Sequence, residues 1–176
     1  MALVSLSGIN AANWPEAWTG GQILEGQSLR LTLADLVGDA ASDSVAEIES
    51  GKTPLYLTVP VDTDFAVLAD LVARFNIKGL ALEFPTFGDG RGFSLAVRLR
   101  RDANFNGDVR ATGHVIPDQA LFLLRSGFDT ADVPDAREAA FKAALGRFKD
   151  FYQTDVRGTK GAGQTSRTGA TVKAAS

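Results

Sequence analysis

Residues 55–84, LYLTVPVDTDFAVLADLVARFNIKGLALEF, decide the fold class. The stretch opens on a β-rich run at 55–59, which Pro60 stops because proline has no N–H to give to a sheet ladder. Across 62–75, Phe65, Leu68, Leu71, Val72 and Phe75 recur at helical spacing, so one face of a helix is apolar. A second β-rich run follows at 77–84 and is ended by Pro85. Strand, helix and strand in so short a span predict two parallel neighbours joined by a right-handed crossover.

The alternation continues downstream. After a Gly-rich turn, 92–101 reads as helix and 108–112 as a third strand. A helix then opens at Pro117 and ends before Gly127, with proline at its start and glycine past its end. A fourth strand, 128–133, precedes a long helix over 135–152. That helix carries Phe141, Ala144, Leu145, Phe148 and Phe151 on one face, read as core. The expected fold is α/β, with four consecutive βα units on a parallel sheet. Half of a (βα)8 barrel and a small doubly wound sheet both satisfy the pattern, and a half barrel would leave an open edge that favours a homodimer. Upstream, residues 1–41 read as an irregular N-terminal segment. Gly, Asn, Pro and two tryptophans break any period there, and Trp14 and Trp18 are read as cover for the edge of the core. Ser44 and Glu47 then have capping-box spacing, with Val45 and Ile48 on one face of a short helix.

The chain has 176 residues, 45% hydrophobic and 22% charged, and no cysteine. That balance indicates one globular domain over 1–156. Without a thiol there is no thiolate nucleophile, no dithiol couple and no cysteine ligand for zinc or an iron–sulfur cluster. The net charge of −3 divides into +4 on residues 157–176, where Arg157, Lys160, Arg167 and Lys173 stand without an acid, and −7 on residues 1–156. The basic segment is rich in Gly, Ser, Thr and Ala and too poor in apolar residues to offset ordering, so it reads as a disordered tail. An acidic body argues against nucleic acid, which needs a concentrated basic face. The first basic residue is Arg30, so the charged start of a secretory signal is missing, and no apolar run approaches the roughly 20 residues of a membrane span. The expected location is the cytoplasm.

In either architecture ligands bind at the carboxyl ends of the strands. The loops there gather Asp62, Asp64, Asp89, Arg91, His114, Asp118 and Gln119 on one rim. The sharpest feature is Gly88-Asp89-Gly90-Arg91-Gly92, followed by Phe93 and Ser94. Alternate glycines before a helix would present backbone N–H groups to an anion near the positive end of the helix dipole. Arg91 would then clamp sulfite, a carboxylate or a phosphate. The competing reading is a tight turn whose glycines supply positive φ, with Asp89 capping the helix. The stretch is neither a nucleotide P-loop, lacking G-K-[ST], nor a dinucleotide fingerprint, since its spacing is G-x-G-x-G. The candidate anion-binding residues are Asp89, Gly90, Arg91, Gly92, Ser94, His114, Asp118 and Gln119. His114, the only histidine, has two readings: a base or ligand beside Asp118, or a loop residue bonded to backbone. No metal site and no cofactor are expected. Arg98, Arg100 and Arg101 read as cations complementing the dipole at a helix end rather than as a nucleic-acid patch.

Two long motifs, LEFPTFGDGRGFSLAVRLRR from Leu82 and GDVRATGHVIPDQALFLLRSGFD from Gly107, closely resemble the bacterial DUF934 family. Its members carry F-P-K-F-x-D-G-R-G-Y-S, then G-E-L-R-A-x-G-D-V-x-x-D-Q and a G-F-D. The matching positions include Phe84, Pro85, Phe87, Asp89, Gly90, Arg91, Gly92, Ser94, Arg110, Gly113, Asp118, Gln119, Gly127, Phe128 and Asp129. The likeness extends more loosely from about residue 5 to 152. The chain departs at Thr86, Phe93 and His114, where the family usually has Lys, Tyr and Asp, and losing that Lys takes a cation from the anion loop. The resemblance implies an association with sulfite reduction in assimilatory sulfate reduction, under the label of an oxidoreductase. No catalytic residues come with it. Two functions follow as expectations. The first is an accessory protein without its own redox centre that binds sulfite reductase or its electron donor. The second is a small βα enzyme or binding domain for an anionic metabolite at the 88–92 loop.

Overall fold

The computed structural model describes residues 1–7, 13–20, 22–38, 48, 51–147 and 155–157. In chain order its elements are β1 (Ala2–Ser5), β2 (Leu29–Thr32), α1 (Leu33–Val37), β3 (Leu55–Pro60), α2 (Phe65–Arg74), β4 (Ile77–Phe84), α3 (Arg91–Arg101), β5 (Asp108–Gly113), α4 (Ala120–Ser126), β6 (Thr130–Val133) and α5 (Glu138–Gly146). Short 3-10 turns at Pro117–Gln119 and Asp135–Arg137 lead into α4 and α5.

The chain is an α/β protein built on a six-stranded, mostly parallel sheet of order β1-β6-β5-β4-β3-β2. Strands β2 to β6 run parallel to their neighbours, whereas β1 pairs antiparallel with β6. The expectation of an all-parallel sheet is corrected at this edge. β1 and β6 are not consecutive strands, so no βα crossover between them fixes their relative direction. The 1–41 segment is likewise not irregular throughout, for it supplies β1, β2 and α1. Two four-residue strands are too short to show a period amid Gly, Pro and Trp.

Among the parallel strands the order never reverses, so this sheet has no switch point of the doubly wound kind. Each helix from α2 to α5 touches the next, which places those helices in one layer. Side chains alternate across the pleat. Leu57, Leu80, Leu82, Val109, Ala111 and Phe84 are all fully buried, and Phe84 meets Phe93 of α3 at 5.4 Å between ring centroids. The opposite face carries Tyr56, Gly79 and Asp108 at one level and Thr58, Ala81 and Arg110 at the next.

Helix ends follow local chemistry. Asp64 accepts a hydrogen bond from the Ala66 N–H at 2.8 Å, so α2 starts at Phe65, after the first residues of the expected 62–75 span. Gly127, at φ +100°, ends α4 in the left-handed conformation. The helix expected over 135–152 is α5, with Phe141 fully buried and Ala144 and Leu145 packed on the core. Phe148 and Phe151 lie outside the described residues, as do the capping pair of the helix expected near 44–48 and the chain beyond 157. Among the described residues no helix is long and apolar enough to cross a membrane.

Candidate functional site

The rim at the carboxyl ends of β3, β4 and β5 brings together several expected residues. Asp89 Oδ1 accepts from the Arg91 N–H at 3.1 Å, which fixes the entry to α3. The Arg91 side chain folds back on the same carboxylate, with Nη2 donating to Asp89 Oδ2 at 2.6 Å and Nη1 lying 3.9 Å from Asp62. These bonds hold the Asp89 carboxyl below the usual carboxylate range and raise the Arg91 guanidinium, in both cases chiefly through the side-chain pair itself. The cation proposed as an anion clamp thus directs Nε and Nη2 at an aspartate.

The glycines of the loop do not serve as the turn reading expects. None of Gly88, Gly90 and Gly92 has positive φ. Gly92 is required by packing: a Cβ there would stand 2.5 Å from Phe84 Cζ and 2.8 Å from Val61 Cγ1. Around Gly88 and Gly90 the same atom would meet nothing within 4 Å.

Gln119 joins two loops. Its Nε2 donates to the Phe87 carbonyl at 2.7 Å, and its Oε1 accepts from the Ile116 N–H at 3.0 Å. His114 donates its backbone N–H to the Phe84 carbonyl at 2.9 Å, and its residue is exposed. Asp118, in the first turn after Pro117, is exposed as well. Ser94 faces outward from α3, into a groove between α3 and α4. Phe87 stands 63% exposed at the loop tip.

Two polar clusters escape sequence reasoning. On the sheet face away from the helix layer, Trp14 lies across β3, β4 and β5. Its Nε1 donates to Asp108 Oδ2 at 2.8 Å, its ring packs on Tyr56, and the Arg110 guanidinium sits 4.2 Å from the ring centroid. Arg110 is 5% exposed, with Nε donating to Thr130 Oγ1 and Nη2 to Asp108. Nearby Asp132 has its pKa raised, first by burial, against the opposing pull of Arg110 and Arg30. The role expected for Trp14 as core-edge cover is corrected: it covers the polar face, and the absent side chain of Gly79 makes room for its ring. The second cluster lies at the amino ends of the strands, where Asp129 accepts from Arg100, Arg157 and the Val109 N–H. Arg157, the first residue of the segment read as a tail, is therefore placed against the domain. The sequence signal for the face was the alternation Asp108, Arg110, Thr112 against Val109 and Ala111.

The model of the family described as "Bacterial protein of unknown function (DUF934)" matches residues 57–162. The chain belongs to the DUF934 family. The DUF934 match begins inside β3 and takes in the chain from there through α5 together with Arg157, and it runs past 152, where the likeness read from the motifs stops. No curated protein and no solved structure matches the chain. Of the DUF934 positions shared here, Gly92 and Phe84 form one close contact and Gly127 a left-handed cap. Asp129 and Arg110 anchor the two buried polar clusters. These are architectural uses. Phe87, Asp89, Asp118 and Gln119 gather on the rim instead.

Proposed function

We propose that this chain is a cytoplasmic accessory protein of assimilatory sulfite reduction, without a redox centre of its own. In this reading it docks on sulfite reductase or its electron donor. The pathway rests on the two family motifs; the docking role rests on Phe87. That ring is 63% exposed on a backbone held by Gln119, on the same strand-end rim as Asp62, Asp89 and Asp118. An exposed aromatic on a pinned, polar rim is the composition of a contact centre in a transient protein complex. The anion-binding alternative draws less support, because Arg91 is engaged by Asp89.

The scaffold we assign is half of a (βα)8 barrel, four βα units from β3 to α5 with β2 and β1 added at the two edges. The unreversed strand order and the single helix layer support that assignment.

The test is biolayer interferometry of the full chain against purified sulfite reductase and, separately, its electron donor. Binding to one of them should weaken by about tenfold or more in Phe87→Asp, as loss of a central aromatic anchor requires. Absence of binding to both, or equal binding by the variant, overturns the reading.

A further inference from the structure

Helices α3 and α4 leave a groove of about 370 Å³ between them. Its floor is aromatic and aliphatic: Phe93 and Phe122 meet at 4.5 Å between centroids, Val97 adjoins them, and Phe122 is 53% exposed. Its borders are cationic, with Arg98, Arg101 and Arg125 all lining it. Arg98 is engaged by Asp102 at 3.4 Å and Arg125 has a partner as well, whereas Arg101 is exposed with no carboxylate partner among the described residues. A basic groove therefore interrupts a body whose residues 1–156 carry a net −7.

We infer that this groove is a docking site for an acidic amphipathic segment of a partner protein, with apolar side chains seated on Phe93 and Phe122 and carboxylates toward Arg101. Charge decides the occupant. The chain's own C-terminal segment contributes Val156 to the lining, its N–H bonded to the Arg125 carbonyl at 3.1 Å, but the four cations without an acid over 157–176 meet like charge here. A second copy offering its acidic Phe87 loop would make a head-to-tail contact, which propagates into filaments unless it closes a ring. An apolar floor between charged borders is how a helix pair receives an amphipathic segment. The inference stands apart from the Phe87 rim, so either can fail alone.

The probe is a fluorescein-labelled peptide of about a dozen residues built from Glu, Leu and Phe. Its controls are the same peptide with every Glu changed to Gln, a single-stranded RNA and phosphatidylserine vesicles. Fluorescence anisotropy with the full chain should show binding of the Glu peptide that fades with added salt. The Gln peptide should bind about tenfold or more weakly, and Arg101→Glu and Phe122→Asp should each lose a similar factor. Both positions are exposed, and an unchanged circular dichroism melt verifies that each variant folds. Phe87→Asp should leave this binding intact. Equal binding of the Gln peptide, no binding of the Glu peptide, insensitivity to both groove variants, or preference for RNA or vesicles overturns the inference. So does concentration-dependent self-association that Phe122→Asp abolishes.

Discussion

Arg100, in the last turn of α3, donates from Nη2 to the carboxylate of Asp129 just before β6, and the two side chains are only 8% and 9% exposed. The same guanidinium donates to the carbonyls of Gly127, Phe105 and Gly107. Asp129 in turn accepts the Val109 N–H at 2.9 Å and a bond from Arg157. One ion pair thus ties the end of a helix, two loops and the start of a strand.

Asp129→Asn leaves the Arg100 guanidinium buried without its ion-pair partner, and Arg100→Ala leaves Asp129 to Arg157 alone while stripping the Phe105 and Gly107 carbonyls of their donor. Arg100→Ala and Asp129→Asn should each lower the unfolding free energy by about 3–5 kcal/mol in urea titrations. Arg100→Lys should recover only part of that loss, because an ammonium cannot span four acceptors in a planar fork. A loss below about 1 kcal/mol in Arg100→Ala would mean the pair is solvated and contributes as a surface bridge does.

Gly92 and Gly90 separate packing from backbone freedom. Gly92→Ala puts a methyl group into the Phe84 ring and Val61, so it should cost about 1–3 kcal/mol in thermal or urea unfolding. Gly90→Ala adds its methyl where nothing lies within 4 Å and where φ is −78°, so it should change stability by about 0.5 kcal/mol or less. Equal effects of the two substitutions would contradict the close approach of α3 to β4.

How far the fold was legible depends on what each residue's signal is. Residues 77–84 are a mostly apolar run, broken only by Lys78 and Glu83, between Asn76 and Pro85, and β4 has those limits because both flanking residues interrupt a strand. Strands β1 and β2 have four residues each, too few for alternation to stand out, and their place comes from pairing with β6 and β3. The rim loops were legible because strand ends place them together. The direction of a single arginine was not. Arg98, Arg100 and Arg101 share the last turn of α3, yet only Arg100 turns inward. Its position four residues after the buried Ala96 is the hint, since i and i+4 share a helix face. Trp14 was illegible for a different reason: it reaches Asp108 across 94 positions of sequence.

Asp132 gives the polar face a pH signature. Burial raises its pKa above the ordinary 3.8, so the folded state holds the proton more tightly than the unfolded chain does. Its contribution to stability is therefore greatest while the carboxyl is protonated in both states. That contribution declines as pH rises from the ordinary value through the folded one, then levels off. Asp132→Asn should flatten this part of the stability–pH curve, measured by urea unfolding at a series of acidic pH values. An unchanged curve would assign the slope to other carboxylates.

Gln119 makes its two loop contacts with different atoms, which lets substitutions separate them. Gln119→Ala removes both, and at about 0.5–1.5 kcal/mol net for each hydrogen bond it should cost about 1–3 kcal/mol in urea unfolding. Gln119→Glu keeps an oxygen to accept the Ile116 N–H but has no donor for the Phe87 carbonyl and places a negative charge against it. Amide exchange at Ile116 should therefore accelerate in the Ala variant and stay slow in the Glu variant. The Phe87 loop should lose its anchor in both. If an anchored Phe87 centres the docking contact, both variants should weaken binding to the reductase or its donor, although only one exposes the Ile116 amide. Full binding by Gln119→Glu would show that the ring needs no fixed backbone beneath it.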